Sequence, residues 1–210
     1  MKTWFNVSVL ALLPFFSPTL GGSAWNEAVD GDLSDDPSAP TAVVLTSGSN
    51  MIDGSVTSTV PADTRDYITF TIPPGQSLLA ITQNSWFDIP GGGPGNTGYI
   101  ALAAGSTSLI PDAVNGSSFL GGNHITAADD GGNILPGLAA ATLAGTGFSL
   151  PLASGTYTFH VQQTGPQTSG YSLNFVVGTS VPALPPLGLG ILVAAMVGAG
   201  VVVFKRRQRA

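Results

Sequence analysis

The stretch SGTYTFHVQQTGPQTSGYSLNFVVG, residues 154–178, decides the fold. In its first half Tyr157, Phe159 and Val161 alternate with Thr158, His160 and Gln162. In its second half Tyr171, Leu173, Phe175 and Val177 take every other place. A period of two marks a strand with one face against a core, and Val, Phe, Tyr and Thr suit a half-buried pleated surface. The link TGPQTSG carries turn residues, so the two strands read as a terminal hairpin. Each apolar face must be covered, which predicts a second sheet packed on the first. His160 falls on the polar face and reads as exposed.

Upstream, DYITFTIPPG (66–75) repeats the pattern, with Ile68, Phe70 and Ile72 on one face and Pro73-Pro74-Gly75 ending the strand. Residues 43–46, 51–57, 77–82 and 99–103 are further short strand candidates, with Gly48-Ser49-Asn50 as a turn between the first two. The run Gly91-Gly92-Gly93-Pro94-Gly95 makes residues 84–98 a loop, with Trp86 and Phe87 at its base and Tyr99 beyond it. Residues 105–147 are Gly-rich and weakly patterned, and no strand is assigned there. Residues 25–42 carry Pro37, Pro40 and many acids, and read as an extended, solvated lead-in.

The ends carry addresses. Lys2, an apolar stretch over residues 4–16 and the small residues Gly22, Ser23 and Ala24 form the three parts of a secretory signal, cut before Trp25. Residues 187–204 are uncharged and span roughly 27 Å as a helix, enough for a hydrocarbon core of about 30 Å. Lys205, Arg206, Arg207 and Arg209 follow at once and hold that end on the cytoplasmic side. The division is therefore 1–24 signal peptide, 25–42 lead-in, 43–178 one β-domain, 179–186 Pro-rich linker, 187–204 transmembrane helix and 205–210 basic tail.

Charge narrows the partners. All twelve acids lie between Glu27 and Asp130, and Arg65 is the one base among them, which leaves that region at −11. Such a surface repels nucleic acid and attracts cations. The chain has no cysteine, so thiol catalysis and Cys-ligated zinc are excluded, and no disulfide supports the core.

Asp30-Gly31-Asp32-Leu33-Ser34-Asp35-Asp36 puts oxygen side chains at alternate positions, a spacing that converges ligands on calcium in a loop. The EF-hand requirements are not met, because Asp35 and Thr41 stand where Gly and Glu belong. Asp30, Asp32 and Asp36 are the candidate calcium ligands, against the plainer reading of an acidic tether. Asp63 and Asp66 precede the best strand, and one of them reads as a turn cap, with a calcium ligand as the alternative; Asp129-Asp130-Gly131-Gly132-Asn133 reads as a turn. His124 and His160 lack a partner set for zinc. No G-x-S-x-G elbow or H-E-x-x-H helix occurs, so a non-catalytic role is expected, with a secreted hydrolase of unrecognised type as the alternative. Trp86, Phe87 and Tyr99 are candidates for stacking on sugar rings, or for plugging one end of the fold.

Two resemblances follow from these residues. Val181-Pro182, then Pro185, the apolar run and the basic cluster resemble, in order, the PEP-CTERM class of bacterial sorting signals, although Ala183 replaces the usual Glu. That resemblance implies an exosortase-like processing enzyme, membrane insertion, and release or re-attachment at the cell surface. Asp66-Tyr67-x-x-Phe70-x-Ile72-Pro73-x-Gly75, with Leu78, Gly155-Thr156-Tyr157-x-x-x-Val161 and Gly170-Tyr171-x-Leu173, resembles the bacterial pre-peptidase C-terminal (PPC) domain. It implies a small jelly-roll-like β-sandwich, in some members binding calcium near the N-terminal edge. The expectation is an exported surface or matrix protein with a structural or binding role. A calcium- or carbohydrate-binding adhesive module is the alternative, with an envelope or matrix polysaccharide as its partner.

Overall fold

The computed structural model describes residues 22–58, 63–94, 96–108 and 118–179. The signal segment up to residue 21, the sorting motif at Val181, Pro182 and Pro185, the apolar run and the basic cluster lie outside them. No helix among the described residues is long and apolar enough to cross a membrane.

The chain is all-β. Its elements are β1 (Gly22–Asn26), α1 (Glu27–Asp30), β2 (Thr41–Ala42), β3 (Gly48–Thr57), β4 (Arg65–Ile72), β5 (Ser77–Ile89), β6 (Gly98–Ala104), β7 (Gly121–Ile125), α2 (Leu135–Ala139), β8 (Gly155–Gln163) and β9 (Thr168–Gly178). They form two sheets, ordered β1-β3-β9-β5 and β2-β4-β8-β6-β7.

The two strands of the opening stretch do not pair as a hairpin. β8 hydrogen-bonds to β4 and β6, while β9 hydrogen-bonds to β3 and β5. The short link therefore crosses between sheets. The alternation itself holds: Tyr157, Phe159 and Val161 are buried, as are Tyr171, Leu173, Phe175 and Val177. Period two fixes which residues face a core, but not which strand supplies the hydrogen bonds. Here the apolar faces of β8 and β9 meet across the core. Phe159 and Phe175 lie 5.3 Å apart at 88°, and Phe70 and Phe175 5.5 Å apart at 70°, both edge-to-face.

Several local expectations change for one reason: backbone pairing outweighs weak turn residues. Gly48, Ser49 and Asn50 begin β3 instead of turning. The buried Asn50 side chain accepts from Thr46 N at 2.7 Å and donates to Phe175 O at 2.9 Å, satisfying backbone groups at that end of the strand. β5 runs on to Ile89, so Trp86 is a strand residue, 0 % exposed, and not the base of a loop. Its ring passes over Gly98, where a Cβ would sit 2.5 Å from it. Tyr99 is buried as well.

His160 is 1 % exposed, against expectation. The outer face of the second sheet is covered around His160, where Phe119 packs with Tyr99, Ala101 and Ala103. The His160 ring stands 5.0 Å from Tyr67, 5.5 Å from Tyr99 and 6.2 Å from Phe119. His124, read as a loop residue, lies in β7.

The acidic lead-in is packed, not free. β1 runs parallel to β3, pairing Trp25 with Ile52 and Asn26 with Asp53. Asn26 caps α1 by accepting from Ala28 N at 3.0 Å. Leu33 is 2 % exposed, and Tyr67 N donates to Ser34 O at 2.8 Å. Trp25 and Leu33 tie the segment to the core, and their burial overrides the tendency of the acids to keep it solvated. Cleavage before Trp25 would leave Trp25 and Asn26 of β1 in the mature chain.

Candidate metal centre

Packing the lead-in against the start of β4 brings five carboxylates together. Glu27 comes from α1, Asp32 and Asp35 from the loop after it, Asp63 from the approach to β4, and Asp66 from β4 itself. One oxygen each from Glu27, Asp32 and Asp66 lie within 4.8 Å of one another, and so do those of Asp35, Asp63 and Asp66. Asp66 belongs to both groups. Asp32 and Asp35 are exposed at the mouth and Asp66 is 1 % exposed at the floor, so the cluster opens to solvent.

Two of the five carboxylates are placed by specific bonds. Glu27 accepts from Ser55 N at 2.7 Å through one oxygen and from Leu33 N at 3.3 Å through the other, tying α1 and its loop to β3. Asp66 points inward, in phase with Ile68, Phe70 and Ile72. Its Oδ2 accepts the Tyr171 hydroxyl at 2.6 Å. Its Oδ1 is buried with no hydrogen-bond partner, and Asp63 Oδ1 is in the same condition. A buried acceptor left unsatisfied costs about 1–3 kcal/mol, and more when charged.

The electrostatics follow. Burial, together with the charge of Glu27, pushes the Asp66 carboxyl well above the usual carboxylate range, against the opposing pull of the Tyr171 bond. Asp63 is pushed up to about 8, first by burial and then by Asp35 beside it. Glu27 is raised by burial, partly offset by its bonds to Ser55 and Leu33. The Tyr171 hydroxyl is driven far up by burial and by Asp66. Without a cation, the cluster relieves its repulsion by holding protons.

The donor set fits a hard cation. Ca²⁺ takes six to eight oxygens at about 2.3–2.6 Å, which puts oxygens around one ion no more than about 5 Å apart. The spacing within each group meets that limit, and the orphaned Asp66 Oδ1 is an acceptor waiting for a positive partner. All-carboxylate ligation with solvent access suits calcium, and not the nitrogen and sulfur sets of structural zinc.

Of the three ligands expected from sequence, only Asp32 joins the cluster. Asp30 Oδ2 accepts from Asn26 N at 2.8 Å. Asp36 Oδ1 accepts from Ser38 Oγ at 2.6 Å and Ser38 N at 2.8 Å, bonds that hold its carboxyl below the usual range. Both carboxylates are spent on local turns. Alternate spacing therefore did not converge Asp30, Asp32 and Asp36, because the segment turns through α1 and does not run as a ligand loop. Glu27 and Asp35 were not named as ligands, and for Asp63 and Asp66 the turn cap was preferred over a calcium ligand. One signal for Asp66 was available: it shares a parity with Ile68 and Phe70, which puts a carboxylate on the apolar face and contradicts a turn cap.

The third acidic run is a turn, as expected. Thr126 and Asp129 form a capping box, and Asp130 Oδ1 accepts from Gln83 Nε2 at 2.8 Å. Of the three aromatic candidates for sugar stacking, Trp86 and Tyr99 are buried and Phe87 is 37 % exposed. His124 and His160 both pack on Tyr99, at 5.9 and 5.5 Å. Comparison with family models, with characterised proteins and with solved structures finds no match.

Proposed function

We propose that this is an exported bacterial cell-surface or extracellular-matrix protein, non-catalytic, with a structural or binding role. Its β-domain is read as a PPC-like, jelly-roll-like sandwich, and the two sheets with apolar faces on one core support that reading. One observation carries the export reading: an apolar start, one folded unit and a Pro motif, apolar run and basic cluster stand in that order along the chain. The tail would insert in the inner membrane and be processed by an exosortase-like enzyme. The test is the intact mass of the mature protein from hosts with and without an exosortase. A product ending near Val181 only in the first host supports sorting. A full tail in both makes it a permanent anchor and removes the PEP-CTERM reading.

A second reading is favoured by the unpartnered Oδ1 of Asp66. The module holds calcium between lead-in and β4, through Glu27, Asp32, Asp35, Asp63 and Asp66. The ion would supply the positive charge that lets these groups ionise together. It would also fasten the lead-in, since three ligands come from that segment and two from the approach to β4 and its first turn of strand. Thermal unfolding with calcium and with chelator tests it.

A further inference from the structure

We propose that the outer face of the first sheet carries a cleft for a neutral saccharide unit. This names a ligand class for the binding role proposed above and rests on that role. The cleft has a volume of about 320 Å³ and lies over Gly170. Phe87 and Ile89 form one wall. They are 37 % and 41 % exposed, two large apolar side chains facing solvent side by side on β5. Gly170 sits directly opposite Phe87 in the ladder. A Cβ there would stand 2.6 Å from Phe87 Cζ and 3.0 Å from Ile89 Cδ1, so the missing side chain lets both lie down on the neighbouring strand. The Phe87 ring thereby rests against Gly170 and stays partly open to solvent.

The opposite wall is polar. Asp53, Ser172 and Glu27 line it. Glu27 is committed to Ser55 and Leu33. Asp53 is half-buried, and among the described residues its carboxylate accepts no hydrogen bond. An apolar platform facing an unspent acceptor matches a pyranose, which has a C–H face and a rim of hydroxyl donors. The charge selects among sugars. Asp53 and a region at −11 repel uronic-acid and sulfated polymers. The occupant is therefore a neutral hexose within an envelope or matrix polysaccharide.

The test uses the full chain in mild detergent with millimolar calcium present throughout, so that the result does not turn on the cation. Affinity electrophoresis is run in gels containing dextran, laminarin, mannan, alginate or hyaluronan, with polylysine as a competitor in solution. Retardation by at least one neutral polymer is expected. Phe87→Ala and Asp53→Asn should each weaken it by about tenfold, the scale of losing one charge-assisted hydrogen bond or its apolar equivalent. Asp53→Asn alters no apolar contact and keeps the inference testable if Phe87→Ala misfolds. No retardation by any neutral polymer overturns the inference. So does retardation that both variants retain, retardation by the anionic polymers alone, or binding to polylysine alone, which would make the cleft a site for basic peptides. The mass and calcium experiments are read separately, so failure here leaves export and cation binding standing, and their failure leaves this result intact.

Discussion

Replacing Asp66 by Asn separates a metal centre from a cluster of acids that merely coexist. The change is isosteric, and an amide oxygen still accepts the Tyr171 hydroxyl now bound at 2.6 Å. Without cation, burial and the charge of Glu27 hold the wild-type Asp66 carboxyl well above the usual carboxylate range. Asn supplies a neutral group where burial already favours the neutral form, so stability in chelator should change by less than about 1 kcal/mol. With calcium the two proteins part. An ion that binds only the native state at one hundred times its dissociation constant adds about 2.7 kcal/mol. For a domain of this size that is a rise in Tm of about 5–11 °C. Asp66 is the one carboxylate common to both ligand groups, so the variant should lose most of that rise. Binding also has to displace a proton from Asp63, held up to about 8. At pH 7 that costs about 1.4 kcal/mol at most, less with solvent screening, so affinity should rise by up to about tenfold per pH unit below 8. The assay is differential scanning calorimetry of both proteins with calcium and with chelator. An equal calcium shift in the Asp66→Asn protein, or no shift in the wild type at saturating calcium, would refute the reasoning.

Other outcomes follow from the same structure. In chelator, melting temperature should fall as pH rises from about 4 to about 8. The folded pKa of Asp63 is raised to about 8, so the native state holds a proton that the unfolded chain has released over that window; a flat profile would count against the cluster. Calcium should flatten the same profile. Asp30→Asn and Asp36→Asn should leave the calcium shift unchanged, whereas Asp32→Asn and Asp35→Asn should reduce it, as read by the same calorimetry. Phe175→Ala, which removes the ring shared by Phe70 and Phe159, should cost about 3–5 kcal/mol in urea unfolding.

The candidate centre was half legible. The acids of the lead-in drew attention to the right segment and to calcium, and Asp32 was named. Asp63 and Asp66 lie some thirty residues away, and only folding puts them beside Glu27. A carboxylate that completes a site from a distance leaves no mark in local spacing. It leaves one in strand phase, where Asp66 precedes Ile68 at an interval of two. His160 failed for the converse reason. It sits on the polar parity of β8, but Phe119 packs over it, and periodicity cannot register cover supplied by a distant segment.

By itself the sequence determined the class of the domain and its inward face. Alternation in residues 66–72, 157–161 and 171–177 is a property of one strand, set by the pleat, and it survived folding unchanged. The sequence also determined the charge of the surface and the absence of disulfides. Tertiary structure alone decided the partners. Strands β8 and β9 went to different sheets, since a strand's hydrogen bonds run sideways to any strand the chain can bring alongside. It decided, too, that five carboxylates converge. Burial of Trp25 and Leu33 draws the lead-in onto the core, and the repulsion that results is the price of that packing.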